Sequence, residues 1–189
     1  QIVYRETVRG VAIRHGMIAS FLPKILEDKA GSGCHINFSL WREGANISGD
    51  PQQANSISPE AGAFIAGILD HLPALCAVTI PSKTSYRRIR PHFWAGAFRS
   101  WGHQNREAAV RVCKNKEGTR ANRIEFKTAD ATANPYLALG APQVFRGASG
   151  GVYQRQECDV HCPHVWWAET ELYRVSLLGA WLLGLARGA

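Results

Sequence analysis

Gly33-Cys34-His35-Ile36-Asn37-Phe38-Ser39-Leu40, or GCHINFSL, alternates strictly between two kinds of residue. Cys34, Ile36, Phe38 and Leu40 are apolar, whereas His35, Asn37 and Ser39 can hydrogen-bond or ligate. A period of two is the signature of a strand with two unlike faces. One face belongs to a core. The other meets either water or a ligand, and the pattern alone leaves both open.

Two further segments repeat the device. In Asn122–Ala129, NRIEFKTA, the residues Arg123, Glu125 and Lys127 share one face, with Ile124 and Phe126 on the other. In Ala108–Lys114, AAVRVCK, Arg111 stands between Val110 and Val112. Residues i and i+2 on a strand lie roughly 6.5–7 Å apart, a span that suits a phosphate and a metal ion. His and Glu together can hold a divalent cation, and Arg can clamp phosphoryl oxygens.

Other elements follow from local chemistry. Residues about 3–16 read as a helix ending near Gly16, with Val8, Val11 and Ala12 on one face. MIASFLP reads as a strand stopped by Pro23, and KILEDKAGSG as a loop. CHINFSLW is a strand, and REGANISGDPQQANS a polar surface loop. Ser58-Pro59-Glu60 starts an amphipathic helix with a Ser cap, Pro at its first position and an acid in its first turn. Ala61, Phe64, Ile65, Ile68, Leu69 and Leu72 then recur at helical spacing. TSYRRIRPHFW is a basic, aromatic loop broken by Pro91, and NKEGT joins the two later strands. Asn134-Pro135 opens a last helix.

The composition is globular: 46% of the 189 residues are hydrophobic and 20% charged, enough for one buried core. No apolar run is long enough to span a bilayer. Five cysteines, an odd number without paired spacing over the first 140 residues, read as reduced thiols in an intracellular protein. The formal charge of +7 suits anionic partners. Arg87, Arg88 and Arg90 beside Phe93 and Trp94 would fit single-stranded nucleic acid or a carboxylate ligand equally. Cys158, His161, Cys162 and His164 lack a second pair at zinc-finger spacing. The chain opens QIVYRETVRG, without Met or a secretory apolar stretch, which reads as an internal start.

GSGCHINFSLW, SYRRIRPHFW, NREAAVRV and NRIEFKTADATANPYLALGA, taken in order and with their spacing, resemble the catalytic domain of glutamine synthetases. The closest type is the bacterial and nodulin-like branch, over residues 1–141. The resemblance implies an α+β fold: a curved antiparallel sheet with flanking helices, incomplete at its front. Residues 142–189 look like an atypical tail.

It also implies a site. His35 and Glu125 fall on metal ligands for Mg²⁺ or Mn²⁺. Asn37, Ser39, Arg106, Arg111, Arg120 and Arg123 fall on nucleotide or phosphate positions. Gly31, Arg88, Arg106 and Lys127 fall on substrate positions, with Arg106 catalytic. The implied reaction is ATP-dependent ligation of ammonia to the γ-carboxylate of glutamate, in a cytoplasmic homo-oligomer with no nucleic-acid or membrane partner. The metal-binding glutamates that the family carries upstream are absent here, so the chain alone is expected to be inactive.

Four departures qualify this. Asn37 stands where the family usually has a second His, Ala30 where it has Asn, and Lys127 where it has Arg. Trp94 stands where the flap carries the Glu that accepts the ammonium proton. An organic amine or polyamine is therefore the alternative acceptor, and a non-enzymatic relative a further one.

Overall fold

Val110, Val112, Ile124 and Phe126 are the alternate residues of two strands, and all four are fully buried. They form the floor of the core. The computed structural model describes residues 1–114 and 121–144. The NKEGT loop, Arg120, the four Cys and His residues beyond 150 and nearly all of the expected tail lie outside the described residues.

In chain order the elements are α1 (Ile2–Arg14), β1 (Ile36–Phe38), β2 (Trp41–Arg42), β3 (Ala45–Asn46), α2 (Pro59–Asp70), α3 (Leu72–Thr79), α4 (Lys83–Arg88), β4 (Phe98–His103), β5 (Ala108–Lys114), β6 (Ala121–Phe126) and α5 (Pro135–Val144). Among the described residues the main sheet has four strands in the order β1-β6-β5-β4. β6 runs antiparallel to both β1 and β5. β4 runs parallel to β5, so the sheet is mixed rather than wholly antiparallel. The short connection between them, residues 104–107, carries Gln104, whose φ is 52°, and Asn105, whose Oδ1 accepts the N–H groups of Glu107 and Ala108. A periodicity argument is blind to strand direction, and 98–103 carries no strict alternation to mark it as a strand.

The apolar sheet face packs on α2 and α3. Ile68, Leu69, Leu72 and Leu75 are buried there, and Phe38 meets Phe64 edge-on with ring centroids 5.2 Å apart. Each such side chain contributes about 1.5–3 kcal/mol on burial, so this layer dominates the stability. Ser58 caps α2 as expected, its Oγ accepting the Ala61 N–H at 3.1 Å. α2 ends at His71, and Pro73 in the first turn of α3 accompanies a 74° bend between the helices. No single helix among the described residues is long and apolar enough to cross a membrane.

Four local expectations change. MIASFLP is not a strand: among the described residues it pairs with no other strand, and Phe21 instead packs edge-on against Tyr4 of α1. The apolar face of α1 buries only Ala12, with Val11 exposed. The basic stretch is helical up to Arg88, as α4, capped by Ser82, because Pro91 disfavours helix only in the residues just before it. The strand from Cys34 is also shorter than its pattern. It breaks after Phe38, and β2 and β3 form a separate hairpin closed by Glu43 and Gly44 at φ 50° and 78°.

Candidate active site

β6 sits inside the sheet, so Glu125 near its end has a neighbour on either side. Its cross-strand partners are Asn37 of β1 and Arg111 of β5. Opposed residues point to the same face, here the one away from α2 and α3. The polar face foreseen from the alternation is therefore one continuous surface built from three strands.

Glu125 is its focus. One carboxylate oxygen lies 3.1 Å from His35 Nδ1, the other 2.5 Å from Arg111 Nε. The Glu125 side chain is only 8% exposed. Burial pushes its carboxyl pKa up, but the His35 hydrogen bond and the charges of Arg111, His35 and Lys127 outweigh burial and hold it at about 2. It is an anion at any physiological pH. Arg123 Nε donates to Asn37 Oδ1 at 3.1 Å, and both side chains are exposed on the same face.

Lys127, next along that face, is buried. Burial lowers its pKa, Arg111 and Arg88 lower it further, and Glu125 and Glu107 oppose them. Arg88 is buried too, and its Nη2 donates to the carbonyls of Lys127 and Ala129 at 3.3 and 3.0 Å. The structure thus ties Arg88 to the end of β6 rather than leaving the whole guanidinium free.

The GSG segment explains its glycines by close approach. A Cβ on Gly31 would stand 2.4 Å from the Pro23 carbonyl oxygen and 2.7 Å from Arg88 Cγ. One on Gly33 would stand 2.7 Å from His35 Nε2 and 2.9 Å from Arg88 Nη1. The segment thus packs closely over Arg88 and His35.

The remaining expected residues lie at the rim. Ser39 is exposed and accepts from Trp41 Nε1 at 2.9 Å, and Arg106 is exposed on the turn before β5. Trp94 is 56% exposed on the loop 89–97. Two contacts of that loop were not read from the sequence. The Glu107 carboxylate accepts the N–H groups of His92 and Trp94, and Lys24 Nζ stands 4.1 Å from the centre of the Phe93 ring. Glu107 directly follows Arg106, yet no local pattern marks a carboxylate that works on a loop thirteen residues upstream.

His35 and Glu125 together fit a hard divalent ion as part of its shell. One imidazole and one carboxylate converge, and no group of three or more His, Cys, Asp or Glu does so among the described residues. A six-coordinate ion would take its other donors from phosphate, water or protein groups beyond these.

Comparison with known proteins follows the same lines. The family model for the glutamine synthetase catalytic domain matches residues 1–165. The gamma-glutamylpolyamine synthetase of Streptomyces coelicolor is 44% identical over 142 residues, 74% of this chain and 30% of that protein. The glutamine synthetase of Aquifex aeolicus is 40% identical over 139 residues, covering 74% and 29%. That of Thermococcus kodakarensis is 37% identical over 175 residues, covering 92% and 36%. Among solved structures, apo GmaS superposes with a TM-score of 0.73 at 28% identity, over 96% of this chain and 44% of that one. The chain spans about a third of the length of the curated relatives it matches.

Proposed function

The chain belongs to the glutamine synthetase family of ligases, and on that premise we propose that its protein uses ATP to couple an amine to the γ-carboxylate of glutamate. The observation that carries the reading is the convergence of His35, Arg111 and Glu125 at the centre of one sheet face, with Arg123 and Lys127 beside them.

The chemistry follows from that charge arrangement. The γ-carboxylate attacks the γ-phosphorus of ATP, ADP leaves, and an amine then displaces phosphate from the acyl phosphate. Phosphoryl transfer asks a protein mostly for positioning and charge neutralisation. Arg111 and Arg123 project from adjacent strands where phosphate oxygens would lie. Arg106, exposed at the rim, would act on the transferred group. Asn37 and Ser39 would face the nucleotide, a role that the family resemblance also gives Arg120, which lies outside the described residues. Gly31, Arg88 and Lys127 form the wall on the glutamate side. Lys127 offers a point charge where a guanidinium would offer a fork. His35 and Glu125 would hold Mg²⁺ or Mn²⁺, which neutralises phosphate charge when bound. Likeness to the family supports a cytoplasmic homo-oligomer, and three free thiols among the described residues suit a reducing compartment.

Ammonia is the acceptor that the family name implies. A second reading, an organic amine or polyamine, is favoured by Trp94. Indole has one donor and no acceptor, so it cannot take a proton from ammonium. It can stack on an organic cation or exclude water. The 44% identity to a polyamine-ligating relative points the same way.

The test is phosphate release by the intact protein with ATP, glutamate, Mg²⁺ and either ammonium or a panel of primary amines and polyamines. Turnover with a γ-glutamyl product supports the ligase, and none with any amine overturns it. Trp94→Glu should raise kcat/KM for ammonium relative to the organic amines. Efficient ammonia use by the wild type, lost on Trp94→Glu, would remove the case for the second reading.

A further inference from the structure

We propose that Glu107 is the positioning residue that anchors the flap, the loop 89–97 that carries Trp94, to the arginine-bearing strand β5. The inference rests on the ligase reading, because that reading gives the loop its role over the amine side of the site.

Glu107 Oε2 accepts the His92 N–H and Oε1 the Trp94 N–H, each at 3.0 Å. Both donors are main-chain groups, so the carboxylate fixes the path of the loop and not merely one side chain. The loop needs such a fixture. His92 and Trp94 have φ of 65° and 53°, a left-handed conformation that a residue with a Cβ adopts only when its surroundings hold it there. N–H groups donated to a carboxylate make stronger bonds than those donated to a neutral acceptor. One ionised side chain offsets two strained residues.

The anchor is itself held. The Glu107 N–H donates to Asn105 Oδ1 at 2.9 Å, in the turn that bears Arg106 and leads into β5. Three residues into that strand stands Arg111, against Glu125. The flap is thus tied to the same turn and strand that present the phosphate arginines. Two other attachments act elsewhere: Lys24 on the Phe93 ring, and Thr128 Oγ1 donating to the Gly96 carbonyl at 3.1 Å. Neither holds the Trp94 main chain.

Glu107 is not a substitute for the missing flap carboxylate. Each of its oxygens is already engaged by a main-chain N–H of the loop, so the carboxylate is turned to the backbone rather than to the amine side. Its contribution is to hold Trp94 in register. Without it the indole no longer covers the amine side, water gains entry, and an acyl phosphate is lost to hydrolysis.

The test is Glu107→Gln in the intact protein, an isosteric change that removes the charge and turns an NH₂ toward one of the two donors. Amide hydrogen exchange read at His92 and Trp94 should accelerate at least about tenfold, the loss expected for a charge-assisted bond, while Val110 and Val112 keep wild-type protection. KM for the amine should rise about fivefold or more while KM for ATP stays within about twofold, a split that uniform loss of stability does not produce. Phosphate release without amine should rise.

Unchanged exchange at His92 and Trp94 overturns the anchor whatever the kinetics. Acceleration spread equally over β5 overturns it too, as general destabilisation. Faster flap exchange with amine and ATP constants moving together overturns the positioning role. A wild type inactive with every amine overturns the ligase reading, and with it the positioning role, while exchange still decides the anchor.

Discussion

At Glu125 one carboxylate serves two partners, His35 through one oxygen and Arg111 through the other. The residue is legible in the sequence as the middle of a charged triplet, but its partners lie 90 and 14 positions away and are chosen by strand pairing. The glycines above it are readable only in three dimensions. Gly31 faces a backbone carbonyl and the root of Arg88, neither of which can move far, whereas Gly33 faces the ends of two side chains. Gly31→Ala should therefore cost about 1–3 kcal/mol in urea unfolding, as overpacking does. Gly33→Ala should cost less stability, yet lower kcat/KM of the intact protein about tenfold or more by turning His35 away. Equal stability losses with unchanged activity at Gly33 would contradict this account of the GSG segment.

Among the elements, α2 and β4 show the two ways in which local chemistry does and does not suffice. The Ser58 cap, Pro59 and the apolar spacing of α2 all agree, and the helix forms where they predict. Ser58→Ala should remove about 1 kcal/mol of stability, the usual worth of such a cap, and leave ligase kinetics untouched, since α2 lies on the far side of the sheet. A change in KM for any substrate would show that the two sheet faces are coupled. β4 is the opposite case. It pairs parallel with β5 although only residues 104–107 separate the two strands, and hydrophobic alternation carries no information about direction. MIASFLP fails for a related reason: apolar residues can make a strand only beside another strand, and Phe21 found an aromatic neighbour on α1 instead.

For the whole molecule, the metal site sets the scale. Among the described residues two donors converge on the site, His35 and Glu125, and one of them is already paired with Arg111. The 189-residue chain by itself should bind Mn²⁺ more weakly than about 10⁻⁴ M, because affinity of such sites follows the number of charged ligands. Calorimetric titration checks this, and a Kd in the micromolar range would mean that a further ligand had gone unrecognised.

Local sequence determined what depends on neighbours along the chain. The two-faced strands around His35, Arg111 and Glu125, the capped helices at Ser58 and Asn134, and the ordered motifs that mark the family are all readable without coordinates. Tertiary structure alone decided the contacts that cross between elements. Strand order placed Glu125 between Asn37 and Arg111, burial tied Arg88 to the backbone beyond β6, and a turn brought Glu107 under the flap. The division has a physical cause: periodicity and capping are set within a few residues, whereas pairing direction and long-range hydrogen bonds depend on which surfaces the chain buries together.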